Sequence, residues 1–319
     1  MPLDPLPAAF LIWFAVHALA ASMWLALRLP RWPRFVLLTL VGSACFFSPL
    51  LLPTDPLGPL IFAAVTCPVM ALKLIDLHVA AAWWRGRSPW LWIKYLPLPF
   101  VLVVRKHLDE PARPRAQSAR LLVRGVLEVA FGLWLLRMAD AWAFTGGMAW
   151  LDHTVRALAF YAIAFDGGFV VVCASLRLLG IHVMDFCRHP ILSTTPADFW
   201  RRYNRPGGRF LYEDIFLPFG GRTAPLRGTL LVFAANGIMH EALSFLFVRE
   251  ILGYQLAFFA LHAVAVVLTF RIRPRGTWKW VGRFLTFWFV IATSAFFLAN
   301  LDAIRPGSIY PFGGPIPLP

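Results

Sequence analysis

TLLVFAANGIMHEALSFLFV, residues 229–248, is the stretch that decides the fold. A helix needs about 20 apolar residues to cross a bilayer core, and this run supplies them. Because the run is continuous rather than alternating, and an open sheet leaves backbone groups unpaired in lipid, we predict a helix. Asn236, His240 and Ser244 recur every fourth residue and form a polar stripe on one face. A titratable group near the middle of a span is costly, so His240 is the first candidate for a functional residue.

Similar apolar blocks fill the rest of the chain. Hydrophobic residues make up 59% of it and charged residues only 14%, whereas a soluble domain averages about 25% charged residues. With 229–248, the blocks predict spans at about 8–27, 35–53, 58–84, 120–137, 155–180, 253–270 and 281–299. The proline-containing stretch 89–104 predicts a re-entrant or interfacial segment, with a ninth span as the alternative, and 141–150 is ambiguous in the same way. The prediction is an all-α, polytopic integral membrane protein with about eight transmembrane helices, in a range of about seven to ten.

Connections that are rich in basic residues alternate along the chain with connections that are poor in them. The connections 28–34, 85–120, 181–228 and 271–279 are rich in arginine and lysine, and the intervening ones are poor in both. The positive-inside rule then predicts that both termini lie outside and that the loop containing FWRRYNRP is cytoplasmic. The net charge of +14 is therefore interpreted as an insertion signal and as contact with anionic lipid headgroups. Nucleic-acid binding is not predicted, because no basic domain or known motif lies outside the spans.

The domain organisation follows from the absence of repeats and of an appended soluble region. We predict one membrane-embedded domain over residues 1–319, with a signature core at 186–248 and an irregular Pro/Gly-rich tail at 305–319. The lack of an organelle-targeting extension fits a bacterial inner membrane. The four cysteines show no CxxC spacing, so neither a metal site nor a redox role is predicted.

A polar segment, PADFWRRYNRPGGRF at 196–210, precedes the apolar run. Thr195 is a predicted N-cap, Pro196 the first helical residue, and Asp198 the third, where a negative charge favours the helix dipole. These signals predict a short helix over about 196–203.

This short helix is predicted to be amphipathic and to lie at the membrane surface. Its aromatic residues suit the interface and its arginines suit headgroups or anions: Phe199, Trp200, Tyr203, Arg201 and Arg202. The Pro-Gly-Gly sequence at 206–208 is expected to end the helix and leave Asn204 at its C-terminal edge. Asn204 is then either a capping or turn residue or a functional one.

The stripe on the apolar helix must face protein or a water-filled cavity, because lipid cannot satisfy it. Asn236 would hold the His240 ring in one tautomer, while Glu241 lies about 100° around the helix and off this face. A hydrogen-bonded seam between helices is the alternative interpretation of the same stripe. A neutral imidazole in a desolvated site suits a general base acting on a hydroxyl.

Other polar residues within predicted spans allow a second class of function. Lys73 and Asp76 are spaced as a buried ion pair, Asp166 is expected to hydrogen-bond a neighbouring helix, and His262 is expected to be structural. A proton-linked or ion transporter would use His240 together with these groups as a path. The lack of repeats and the amphipathic loop, for which a pore has no evident need, argue against it.

Taken together, the two polar motifs resemble those of the membrane-bound O-acyltransferase family, and most closely its wax-synthase-like branch. DFWRRYNRP is similar to the family's FW-x-x-W-N signature, and NGIMHE is similar to its small, apolar, His-Glu segment. The 36 residues from Asn204 to His240 match the family's interval of some thirty to forty. Two departures are Tyr203 where relatives carry Trp and a length of 319 residues, which is short for the family.

The resemblance implies transfer of an acyl group from a thioester, usually acyl-CoA as co-substrate, to a lipid or fatty-alcohol hydroxyl, with no cofactor. It assigns His240 as base and Asn204 as the second catalytic residue. The candidate substrate-binding residues, of which the arginines are placed near the donor's phosphates, are Trp200, Arg201, Arg202, Tyr203, Arg205, Arg209, Asn236 and Ser244. A catalytically silent relative that binds lipid is the remaining alternative, and the oligomeric state is not indicated.

Overall fold

The computed structural model describes residues 4–142 and 148–311, and the chain is helical with connecting turns throughout these ranges. The predicted all-α class is confirmed. Of the predicted irregular tail, the part up to residue 311 consists of turns and bends, and the remainder lies outside the described residues. Residues 143–147, half of the ambiguous region 141–150, also lie outside them.

Fourteen α-helices follow one another within the described ranges. They are α1 (Pro5–Ser22), α2 (Arg31–Phe47), α3 (Leu57–Val79), α4 (Ala81–Arg85), α5 (Pro89–Tyr95), α6 (Val104–Leu108), α7 (Arg115–Trp142), α8 (Ala149–Phe160), α9 (Phe169–Leu178), α10 (Pro196–Arg202), α11 (Arg205–Phe210), α12 (Pro225–Val248), α13 (Tyr254–Thr269) and α14 (Trp278–Ile304). A π-helical segment, Tyr161–Gly168, joins α8 to α9, and a second, Leu211–Phe216, continues α11.

Six helical stretches of the described chain are long and apolar enough to cross a bilayer, as a polytopic membrane protein requires. They are Pro5–Arg28, Arg31–Leu51, Leu57–Val79, Ala149–Leu178, Pro225–Val248 and Trp278–Ile304. The other two predicted spans also coincide with helices. However, α13 has only 16 residues, and the apolar part of α7 is interrupted by Arg124, Glu128 and Arg137. Membrane crossing by these two helices stays a prediction, as does the orientation of the loops.

In the stretch 89–104, α5 has seven residues and is followed by turns and bends up to Val104, where α6 begins. A helix of that length spans about 10 Å, so the ninth-span alternative is wrong. The segment is held against the bundle by hydrogen bonds. The indole Nε1 of Trp92 donates to the carbonyl oxygen of Ala20 at 3.1 Å.

Lys73 of α3 also holds this segment against the bundle. The predicted ion pair between Lys73 and Asp76 is wrong, because Lys73 contacts backbone carbonyls instead. The Lys73 ammonium donates to the carbonyl oxygens of Tyr95, Leu96 and Leu98, at 2.5, 2.7 and 2.8 Å. These carbonyls lie at and beyond the end of α5, where a helix leaves acceptors without intrahelical donors. The buried cation therefore stabilises a helix terminus instead of a carboxylate.

Asp76 takes a different cation. It pairs with Arg105 of α6 and accepts a hydrogen bond from the Trp84 indole at 3.0 Å. Arg105 also contacts Asp214 at 3.0 Å, in the π-helical segment that continues α11. This buried network ties α3 to the segment that carries the polar motif.

Close packing of small residues joins α7 to the long helix formed by α8, its π segment and α9. A Cβ added at Gly132 of α7 would lie 2.8 Å from the Ala159 carbonyl oxygen, and one added at Gly167 would lie 3.0 Å from the Val129 amide nitrogen. Such contacts between small residues are typical of helix pairs in membranes. Arg124 of α7 donates to Asp166 at 3.1 Å across the same interface, which confirms the hydrogen bond expected for Asp166.

Candidate active site

A cavity of about 380 Å³ lies among α10, α11, α12, α13 and α14 and the π segment after α8. Small-molecule sites commonly have volumes of about 300–1,000 Å³. Its walls are mostly aromatic and aliphatic. The more polar side chains on them are Tyr161, Trp200, Tyr203, Asn204, Asn236, His240, Thr286 and Ser294. The cavity therefore suits a largely apolar ligand with a localised polar region.

His240 projects from α12 and lines this cavity. Its ring stacks on Phe259 with centroids 4.9 Å apart and meets Phe297 edge-on at 6.3 Å. The side chain is half-buried, because it opens onto the cavity. Among the described residues no side chain or carbonyl hydrogen-bonds to the ring nitrogens. The imidazole is thus held by aromatic contacts while its nitrogens stay available to a ligand.

The predicted polar stripe divides between two environments. Asn236 is buried and lines the cavity beside His240, yet within the described chain no hydrogen bond joins these two residues. Ser244 does not line the cavity, and its hydroxyl donates to Asn300 Oδ1 of α14 at 2.9 Å. Both interpretations of the stripe therefore apply, each to a different part of it.

Glu241 points away from the stripe, as its position around the helix predicts. Its buried carboxylate accepts hydrogen bonds from the backbone N–H groups of Gly253, at 2.7 Å, and Gln255, at 3.1 Å. These N–H groups belong to the N-cap residue and the first turn of α13, and they have no intrahelical acceptor. Glu241 therefore caps α13 from the neighbouring helix.

The start of α10 is formed as predicted. Thr195 Oγ1 accepts the Asp198 N–H at 3.0 Å, and the Asp198 carboxylate accepts the Thr194 N–H at 3.2 Å. Burial alone would raise the pKa of the Asp198 carboxyl. Hydrogen bonds from Arg202 and the Thr194 N–H outweigh burial, so this pKa lies below its usual value.

Trp200 of α10 lines the cavity and is fixed by a chain of hydrogen bonds. Its indole Nε1 donates to His262 Nδ1 at 2.9 Å, and His262 Nε2 lies 2.9 Å from Thr293 Oγ1. Since an indole only donates, Nδ1 must accept and Nε2 must carry the proton. The Thr293 hydroxyl then donates onward to the Phe289 carbonyl at 2.8 Å. His262 is therefore structural, as expected, and it links α10 to α13 and α14.

Tyr203 also lines the cavity. Its ring stacks on Phe199, with centroids 5.1 Å apart and planes 15° apart, and meets Phe165 at 4.8 Å. The aromatic ring is thus packed into the wall between α10 and the π segment after α8.

Asn204 has an unusual backbone conformation, with φ 38° and ψ 60° in the left-handed region. Its Oδ1 accepts the Gly207 N–H at 3.1 Å and caps α11. The sequence 206–208 therefore lies inside a new helix rather than only ending α10, which corrects the predicted break. A Cβ at Gly207 would lie 2.8 Å from Asn204 Nδ2, so a side chain there would displace the Asn204 amide. Asn204 also lines the cavity, and within the described chain Nδ2 donates to no partner.

The predicted anion-binding arginines do not line the cavity. Arg201 and Arg202 are partly exposed and pair with Asp198, at 3.3 and 3.1 Å. Arg205 is buried and pairs with Glu110. Arg209 is exposed and pairs with no carboxylate in the part of the chain that the structure describes.

The structure also adds residues that sequence reasoning missed. Phe259 and Phe297 contact His240, and Tyr161, Thr286 and Ser294 contribute hydroxyls to the wall. Each is an isolated residue in an apolar helix, so no periodicity or motif distinguishes it. Only the packing of the helices brings these side chains to one cavity.

The ionisable groups considered for a transport path lie elsewhere. Lys73, Asp76 and Asp166 are each engaged by the contacts described above, and none of them lines the cavity with His240. The structure therefore does not bring these groups together with His240.

Comparison with known proteins gives one informative similarity. No protein-family model matches the chain. The chain is 32% identical over 148 residues to the Arabidopsis thaliana protein named "Probable long-chain-alcohol O-fatty-acyltransferase 3". The similarity covers 41% of this chain and 43% of the plant protein, so it spans less than half the length of either.

Proposed function

We propose that this chain is a membrane-embedded O-acyltransferase that moves a fatty acyl group from acyl-CoA to the hydroxyl of a long-chain alcohol or similar lipid. The observation that carries the proposal is the half-buried His240, which lines an apolar cavity that Asn204 also lines. The partial similarity to a protein named as a long-chain-alcohol O-fatty-acyltransferase supports it.

The proposed reaction uses His240 as a general base. The acceptor oxygen bonds to the thioester carbonyl carbon while His240 Nδ1 or Nε2 takes the hydroxyl proton. The tetrahedral intermediate collapses with cleavage of the carbon–sulfur bond, and the leaving thiolate takes the proton back from the imidazolium. The products are an ester and a free thiol, and His240 returns to its neutral form.

Asn204 is proposed to stabilise the oxyanion of the intermediate. Its Oδ1 is occupied by the Gly207 N–H, which orients the amide so that Nδ2 is left as a donor. A fixed donor of this kind is worth about 3–4 kcal/mol in other acyl-transfer sites. The same hydrogen bond that caps α11 thus pre-orients the catalytic amide.

The apolar walls serve both substrates. They accept the hydrocarbon chains of donor and acceptor, and they exclude water, which would otherwise compete with the alcohol for the acyl group. Arg209, which is exposed and has no carboxylate partner among the described residues, is the arginine best suited to the donor's phosphates. Arg201 and Arg202 are less suited to bind these phosphates, since both already pair with Asp198. Arg205 is not proposed to bind them, because it pairs with Glu110.

The test measures ester synthesis by purified protein with labelled acyl-CoA and a panel of hydroxyl acceptors. His240→Ala is expected to lower turnover by about 10²–10⁴-fold, the usual contribution of a general base. His78→Ala is the matched control, because His78 also lies in a long apolar helix but does not line the cavity. The control is expected to keep its activity.

Equal activity of wild type and His240→Ala would refute the assignment. Binding of acyl-CoA without ester formation from any acceptor would favour the catalytically silent lipid-binding relative. Failure to bind acyl-CoA at all would favour the transporter alternative.

A further inference from the structure

Gly208 combines two properties that point to a function. It lines the cavity, and it is also exposed. A Cβ placed on Gly208 would meet no atom within 4 Å. Gly208 therefore borders open space where the cavity reaches the surface of the protein.

The fold gives no reason for glycine at this position. At Gly207, next to it, a Cβ would displace the Asn204 side chain. Gly208 has no such neighbour, and it adopts an ordinary helical conformation within α11. A glycine inside a helix is less favourable than alanine. The missing side chain at 208 therefore makes α11 less stable without relieving any clash.

An exposed cation lies next to the opening at Gly208, which is called the mouth below. Arg209 follows directly in the chain and is exposed, with no carboxylate partner within the described ranges. Asn204, four residues before Gly208, also lines the cavity. A ligand that enters here would keep a polar, anionic part outside and place its apolar part within.

We propose that Gly208 keeps this mouth wide enough for the head of the acyl donor, a bulky anionic nucleotide thioester, while the acyl chain lies in the cavity. The proposal rests on the proposed function for the identity of the donor. Gly208 thus acts on donor specificity, because a side chain at this position would obstruct a large head more than a small one.

The test compares the binding of two unreactive thioethers that share one alkyl chain. S-hexadecyl-coenzyme A carries the full head, and S-hexadecyl-N-acetylcysteamine carries only the end of it. In Gly208→Leu we expect the Kd of the first to rise by about tenfold or more, since a side chain forced into filled space is strongly unfavourable. The Kd of the second is expected to change less than about threefold. Gly208→Ala should give a smaller effect in the same direction.

Gly58→Leu is the matched control. Gly58 is also an exposed helical glycine whose added Cβ would meet nothing within 4 Å, but it lies on α3 away from the cavity. This control should bind both probes as wild type does, and the thermal unfolding of all variants shows that they fold.

If Gly208→Leu raises the Kd of both probes equally, or changes neither Kd, the proposal is overturned. Wild-type protein that binds neither probe would overturn it as well, together with the donor assigned above. Because binding is measured without turnover, a wild type that binds S-hexadecyl-coenzyme A but makes no ester refutes only the proposed reaction. The Gly208 comparison then still decides the proposal.

Discussion

Substitutions of Asn204 separate its capping role from the chemical role proposed for it. Oδ1 caps α11 through the Gly207 N–H, while Nδ2 is the proposed oxyanion donor. Asn204→Asp keeps an oxygen acceptor for the cap and removes the amide donor. Asn204→Gly removes both groups but tolerates the left-handed backbone at φ 38°. Asn204→Ala removes both groups and also strains the backbone.

The expected stability changes follow from these contacts. Loss of the cap in Asn204→Ala costs about 1 kcal/mol, and the left-handed conformation costs an ordinary residue about 1–2 kcal/mol. The sum is about 2–3 kcal/mol of unfolding free energy. Asn204→Gly should lose only a few tenths of a kcal/mol, and Asn204→Asp about as little, since aspartate is an equally good N-cap.

The expected activities follow a different order. If Nδ2 stabilises the oxyanion, Asn204→Asp should lose about 10²–10³-fold in kcat while its thermal unfolding stays close to that of wild type. The assay is the initial rate of ester formation, measured beside the unfolding midpoint of each variant in the same detergent. Wild-type kcat in Asn204→Asp would refute the donor role. Activity that follows stability across all three variants would show that Asn204 is only a cap.

Two further substitutions test the surroundings of the site. Trp200→Phe should lower the unfolding free energy by about 1–3 kcal/mol, because it leaves His262 Nδ1 as a buried acceptor without a donor. Trp90→Phe, at a residue that is 74% exposed, should change it little, and equal unfolding midpoints would contradict the role given to the hydrogen bond. Burial lowers the pKa of His107 from 6.5 to about 3, and nearby His182 adds to the effect. Between about pH 3 and 6.5 the unfolded chain therefore binds more protons than the folded one. The stability that neutral His107 contributes is complete above about pH 6.5. Below that pH it falls by up to about 1.4 kcal/mol per pH unit. His107→Gln, which keeps an acceptor for the Met184 N–H, should show a shallower decline from pH 7 to 5 in denaturant unfolding, and an unchanged slope would contradict the assignment.

The helices were predictable because the property that forms them is local. A run of about 20 apolar residues can satisfy its backbone in lipid only as a helix, and all eight predicted runs coincide with helices of the structure. The start of α10 was predictable for the same reason, since its cap is contained within Thr195–Asp198. Both predictions depend on groups that are close together in the chain.

The partners of buried charges were not predictable, because they come from distant parts of the chain. Spacing alone paired Lys73 with Asp76, but the structure gives Lys73 the carbonyls that follow α5 and gives Asp76 the guanidinium of Arg105. Arg205 was likewise expected to face an anionic ligand, and Glu110, from a loop before α7, neutralises it instead. A sequence shows that a charge needs a partner but not which of several distant groups approaches it.

Glu241 shows how a residue off the predicted face still acts on the site. Its carboxylate fixes the first turn of α13 through the N–H groups of Gly253 and Gln255. The same helix carries Phe259, which stacks on His240, and His262, which holds Trp200 against the cavity. The adjacent residues His240 and Glu241 therefore have different roles. The histidine faces the cavity, and the glutamate anchors the helix that orients it, a task that no helical wheel of α12 alone would reveal.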